Sequence, residues 1–178
     1  MLLLQFTGLS GAGKSTIAKY AKEILDRPGI PVIIVDGDEY RKTLCADLGF
    51  SKEDRSENIR RLGAVANTFC NEGNITIIAA INPYEEVRNE LKQKYNAKTI
   101  WIRCNMDTLL ERDTKGLYKK ALLAEGHPDK ITNLTGVNDP YEEPANADLI
   151  IDTSALSTGA ATTLLIDFII DHIPVAFY

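Results

Sequence analysis

At 178 residues the chain has the length of one domain, read here as spanning 1–178. Hydrophobic residues make up 44% and charged ones 25%, which excludes a disordered chain and suffices for one buried core. A net charge of −5 argues against a nucleic-acid partner, since phosphate backbones are gripped by an excess of Lys and Arg. Residues 1–6 are apolar but have no basic leader and run directly into a glycine motif, so they read as a first strand (2–7), not a signal peptide. A helix is expected over 15–26, with Ile17, Ala18, Ala21, Ile24 and Leu25 as its apolar positions and Pro28-Gly29 as its stop. A second strand follows at 32–35. The next helix is expected to start at Ser51, where Ser51-Lys-Glu-Asp54 resembles a capping box with Asp for Glu, and to run through Ile59, Leu62, Val65, Ala66 and Phe69 to Gly73.

Strands are expected at 75–81, 99–103 and 149–151, with a helix after Pro83 and a last one over 160–171. Asp167 and Asp171 interrupt the apolar stretch 164–173, which is too short and too charged to cross a bilayer. Continuous apolar strands alternating with helices predict a three-layer α/β/α fold with a mostly parallel sheet of about five strands. Residues 114–144 are rich in Gly, Pro, Asn and charge without a sustained period, so they form a candidate mobile lid. Cys45, Cys70 and Cys104 are far apart and odd in number, which suits free thiols in a reducing compartment and a cytoplasmic protein.

The strongest chemical signal is Gly8-Leu-Ser-Gly-Ala-Gly-Lys-Ser15, a match to G-x-x-x-x-G-K-[ST] placed between a strand and a helix. Glycines at 8, 11 and 13, with Ser10 and Ala12, let backbone N–H groups converge on phosphate oxygens, and the following helix adds its positive end. Lys14 is expected at the β- and γ-phosphates, Ser15 on Mg²⁺, and Thr16 beside them, so ATP and Mg²⁺ are the expected cofactors. Asp36-Gly37-Asp38 ends the second strand, on the edge where open α/β sheets bind ligands. Asp36 is expected to assist the metal through water. Either carboxylate can take the proton of an acceptor hydroxyl; Asp36 is the first choice and Asp38 the second.

Taken together, several segments make the chain similar to the adenylylsulfate kinase (APS kinase) family. They are Gly8 to Thr16, Asp36-Gly-Asp38 with Arg41, Asp47-Leu-Gly-Phe-Ser51, Asp54-Arg-Ser-Glu-Asn-Ile-Arg-Arg61, Arg112-Asp-Thr-Lys-Gly-Leu-Tyr118, Thr135-Gly136 and Pro140-Tyr-Glu142. The resemblance implies transfer from MgATP to the 3′-hydroxyl of adenosine 5′-phosphosulfate, a small-molecule acceptor, by a homodimer. It implies that Arg41, Arg55 and Asn58 bind the phosphosulfate and ribose, that Phe50 stacks on the adenine, and that Ile81 and Asn82 line the acceptor site beside Asp38. Lys115 and Leu117 would belong to the lid beside the acceptor, and Arg112 would face ATP. Arginine forks suit a compact polyanion, and Arg55, Asn58 and Arg61 recur at helical spacing along one surface.

The chain departs from the family pattern in several places. Asn82 stands where many members have Ser, which excludes a phosphoserine intermediate there, although its amide could donate to the acceptor. Glu85 stands where a basic residue is usual, leaving the expected pocket rim less positive. Leu134 replaces an aromatic residue, a change that would weaken stacking by about 0.5–1.5 kcal/mol. The segment 122–133 is longer than its counterpart, and His127-Pro128 within it reads as a loop feature. Two other readings remain at this stage: a kinase of this fold with another nucleotide or a sugar as acceptor, and a nucleotide-binding module without turnover. A GTPase is disfavoured by the lack of an Asn-Lys-x-Asp run.

Overall fold

The computed structural model describes residues 1–27 and 29–173; Pro28, the expected helix stop, and 174–178 lie outside the described residues. The apolar runs form β1 (Leu2–Thr7), β2 (Val32–Asp36), β3 (Ile75–Ala79), β4 (Lys98–Arg103) and β5 (Leu149–Asp152). They pair in the order β2-β3-β1-β4-β5, every pair parallel, with Leu4 opposite Ile77 on one side. Between them come helices α1 (Lys14–Asp26), α2 (Gly37–Tyr40), α3 (Lys52–Asn71), α4 (Glu85–Tyr95), α5 (Met106–Arg112), α6 (Leu117–Ala121) and α7 (Thr158–His172).

Side chains alternate across β1, and each face has its own core. Leu2, Leu4 and Phe6 pack with Ile17, Ala21 and Leu25 of α1 and with Leu165 and Ile169 of α7. Leu3 packs on the other face with Ile59 and Leu62 of α3 and Val87 and Leu91 of α4. Leu62 has no exposed surface, and burial of such a side chain contributes roughly 1.5–3 kcal/mol. The three layers are therefore those expected. From β1 the chain crosses to β2, but from β3 it crosses back over β1 to β4. The order reverses between β1 and β3, so a crevice opens at the carboxyl ends of those two strands.

Several boundaries differ from expectation. β3 ends at Ala79, two residues before 81, because the Ile81 carbonyl turns to accept from Gly8 N (3.1 Å) and Thr7 Oγ1 (3.0 Å). Asn82 then adopts a left-handed φ of 48°. The Asp-Gly-Asp turn is a short helix, α2, capped by Asp36 Oδ1, which accepts from Asp38 N at 2.9 Å. Ser51 caps α3 as expected, its Oγ accepting from Asp54 N at 3.1 Å. α7 begins earlier than 160, because Ser157 supplies its cap. Helix α6 lies inside the stretch 114–144, whose sequence shows no sustained period.

Candidate active site

The loop between β1 and α1 wraps a cavity of about 400 Å³ lined by Ser10, Gly11, Ala12, Gly13, Lys14, Ser15 and Thr16. Gly13 sits at φ 98°, a conformation that only glycine adopts without strain and that turns the loop into the helix start. Gly8 does not line the cavity; a side chain there would collide with the carbonyl oxygen of Ile102, so this glycine serves packing against β4. Lys14 is nearly buried, and its Nζ donates to the carbonyls of Gly8 (2.8 Å) and Leu9 (2.7 Å). Burial pulls its ammonium down to about 8; Asp38 opposes this, Lys115 adds to it, and Asp36 opposes it.

Ser15 Oγ donates to Asp36 Oδ2 at 2.7 Å, and Asp36 Oδ1 is held by Asp38 N. Both oxygens of Asp36 are thus engaged, and Asp36 borders this cavity alone. Arg112, at the end of α5, also lines it, its Nη2 donating to the Thr153 carbonyl at 2.6 Å. Thr153 was not foreseen. Its buried hydroxyl donates to the Ala12 carbonyl at 2.9 Å and so fixes the loop; its place just past β5, on the ligand edge of the sheet, was the available signal.

A second cavity of about 460 Å³ adjoins the first and is lined by Arg41, Phe50, Arg55, Asn58, Ile81, Asn82, Lys115 and Leu117, and by Leu134 and Thr135. Ser10, Asp38, Ala80, Ile81 and Lys115 border both cavities, so the two meet at Asp38. Lys115 forms an ion pair with Asp38 across this junction.

Phe50 is half exposed and flanked by two guanidinium groups, Arg41 at 4.6 Å and Arg55 at 5.3 Å from its ring centre. Arg55 is buried and anchored: Nε donates to the Phe50 carbonyl (2.9 Å), and Nη2 donates to the Asn133 carbonyl (2.6 Å) and Asp139 (2.7 Å). Arg41 holds only the carbonyls of Leu48 (3.3 Å) and Gly49 (3.0 Å). Asn133 and Asp139 as partners of Arg55 had no signal in the sequence.

Asn82 is reached differently from expectation. Gln5 Nε2 is committed to the Arg88 carbonyl (2.9 Å) and Thr99 Oγ1 (3.1 Å), so Gln5 Oε1 must accept, and it does so from Asn82 Nδ2 at 3.0 Å. One N–H of the Asn82 amide therefore points into β1. Asn82 Oδ1, Asn58 Oδ1 and Thr135 Oγ1, all in residues lining this second cavity, are buried without a hydrogen-bond partner among the described residues. Such groups are costly unless something supplies a donor. Glu85 does not line the cavity: it pairs with buried Arg88, whose Nη1 donates to the Asn82 carbonyl at 2.7 Å. His127 lies on an exposed loop, its Nδ1 accepting from Asp129 N.

The family model described as adenylylsulphate kinase matches residues 1–152. The chain belongs to the adenylylsulfate kinase family. Members transfer a phosphoryl group from ATP to adenylylsulfate, and the chain is an enzyme of that class. The adenylyl-sulfate kinase of Bacillus pumilus is 44% identical over 170 residues, covering 94% of this chain and 84% of the relative. The structure of the Mycobacterium tuberculosis APS kinase in complex with AMPPNP and APS superposes with a TM-score of 0.86 at 35% identity, covering 94% of this chain and 96% of that one. The hexameric APS kinase from Thiobacillus denitrificans gives 0.69 at 29% identity, covering 96% of this chain and 29% of that one. Against the adenylylsulfate kinase pattern, Leu134 is buried and apolar and lines the second cavity. No helix among the described residues is long and apolar enough to cross a membrane.

Proposed function

We propose that the chain moves the γ-phosphoryl group of MgATP directly to the 3′-hydroxyl of adenylylsulfate in a ternary complex, with no phosphoenzyme. The observation that carries this reading is the junction of two cavities at Asp38, one wrapped by the phosphate loop and one lined by arginines. ATP would lie with its phosphates against the loop N–H groups and Lys14, and its base near Arg112. The acceptor would place its adenine on Phe50 and its phosphosulfate near Arg41 and the remaining N–H groups of Arg55. Its hydroxyl and amino donors match the orphaned oxygens of Asn58, Asn82 and Thr135.

Asp38 is the base in this reading and not Asp36, because it alone of the two faces both cavities. Asp36 and Ser15 suit magnesium: their side-chain oxygens are hard donors 2.7 Å apart, and Mg²⁺ characteristically takes few protein ligands beside phosphate and water. Bound there, the ion would offset charge on the transferring group. Asn82 has no hydroxyl to carry a phosphoryl group, which favours direct transfer.

We infer further that 114–144 acts as a lid, that 1–178 works as one domain, and that the enzyme is a cytoplasmic homodimer. Lys115 and Leu117 at the second cavity support the lid, and three thiols unpaired among the described residues suit a reducing compartment. The test offers purified enzyme MgATP with adenylylsulfate, other nucleotides or sugars and follows the 3′-phosphorylated product. Product from adenylylsulfate alone, with no label retained on protein from γ-labelled ATP, is expected. Preference for another acceptor, or a labelled enzyme, overturns the reading.

A further inference from the structure

Helix α3 presents Arg55, Asn58 and Arg61 at three-residue intervals, yet only the first two line the arginine-bearing cavity. Arg61 turns the other way. Its Nη1 and Nη2 grip Asp47 Oδ1 and Oδ2 at 2.6 and 2.9 Å, a two-pronged fork; Nη1 also donates to the Leu44 carbonyl (3.0 Å) and Nε to Glu57 (3.0 Å). The bonds to Asp47 and Leu44 fasten the 41–50 segment, which has turns but no helix or strand between α2 and the cap of α3. That segment carries Arg41 and Phe50, which form one side of the cavity. Beneath it, fully buried Cys45 is the only side chain of 41–50 that is out of contact with solvent.

We propose that Arg61 is a positioning residue for the acceptor: through Asp47 and the Leu44 carbonyl it sets where Arg41 and Phe50 stand. The proposal rests on reading that cavity as the adenylylsulfate site. The fork is exposed on the Asp47 side, and exposed pairs contribute little to stability, so its value lies in orientation. A planar guanidinium spanning both carboxylate oxygens fixes the distance and the angle of the segment; a lysine fixes neither. Nothing in the fork touches the phosphate loop, so nucleotide handling should be spared.

The experiment is steady-state kinetics of the full chain with both substrates varied, beside thermal melts. Arg61→Ala is expected to raise KM for adenylylsulfate about tenfold, less than the roughly hundredfold that a full ångström of misplacement can cost, while kcat and KM for MgATP stay within about twofold. Asp47→Asn should shift the same constant in the same direction, Arg61→Lys should recover little of it, and Arg61→Ala combined with Asp47→Ala should be no worse than Arg61→Ala alone. An unchanged acceptor KM, additive effects in the double variant, or equal losses for both substrates with a lowered melting temperature would overturn the positioning role. If the parent enzyme fails to phosphorylate adenylylsulfate at all, the acceptor reading fails instead, and this proposal with it.

Discussion

At the scale of single residues, Asp36 and Asp38 stand in different surroundings that their spacing cannot express. Asp36 has both oxygens engaged by Ser15 and the Asp38 N–H, while Asp38 stands where the two cavities meet. Asp38→Asn should therefore lower kcat at least about a hundredfold with little change in either KM, as removal of a base does. A purely higher acceptor KM would instead make Asp38 a binding group. Lys14 supplies a pH signature. Its ammonium, held at about 8 by burial, is charged below that pH and neutral above it, whereas the free side chain would stay charged to 10.5. MgATP attracts the charged form, so affinity should be flat below about 7 and fall toward tenfold per pH unit above about 8. Proton uptake on binding near pH 8.5, measured by calorimetry in several buffers, should accompany it; none would mean that Lys14 is already protonated there.

Individual residues were legible where backbone chemistry dictates the type, as in the glycine loop. Asn82 was not, because the direction of its amide depends on Gln5, a buried polar residue 77 positions away whose own partners must be known first.

At the scale of elements, α3 frames the arginine-bearing cavity, and its first turn fixes where that frame starts. Ser51 Oγ holds the Asp54 N–H one residue before Arg55. Ser51→Ala should cost about 1 kcal/mol, seen as a melting temperature lower by about 2–4 °C for a chain of this length. No shift would show that the cap is replaced by water. Ser51 illustrates which elements announce themselves: a cap followed by 20 residues of helix is readable, and so were the apolar strands. The four-residue α2 and the five-residue α6 carry too few turns for a period to emerge, and α6 owes its place to Tyr118, buried and donating to the Ser10 carbonyl at 2.8 Å. Tertiary docking of that kind leaves no pattern in the local sequence.

At the scale of the whole molecule, the reversal of strand order between β1 and β3 brings loops from both ends of the chain to one crevice. Asp38 and Lys115 are 77 positions apart in sequence, yet their ion pair belongs to the walls of both cavities. Ligands on either side should therefore feel each other. A non-hydrolysable ATP analogue is expected to change the dissociation constant of adenylylsulfate by about fivefold or more, and adenylylsulfate should change that of the analogue by the same factor. Isothermal titration in both orders checks this; independent affinities would show that the shared wall is rigid.

The two guanidinium groups beside Phe50 are not equally tethered, and this bears on which ligands should compete for the ring. Arg55 is anchored from three sides, but Arg41 is held by two backbone carbonyls only and lies closer to the ring. A purine stacking on this aromatic would meet a cation already in place and would have to exchange with it. A nucleotide brings an anion that draws the arginine aside; an uncharged nucleoside brings none and must displace the cation–ring contact with stacking alone. If the acceptor's purine stacks on Phe50, adenosine should bind more weakly than a charged nucleotide, through a competitor built into the protein and without any group dedicated to excluding it.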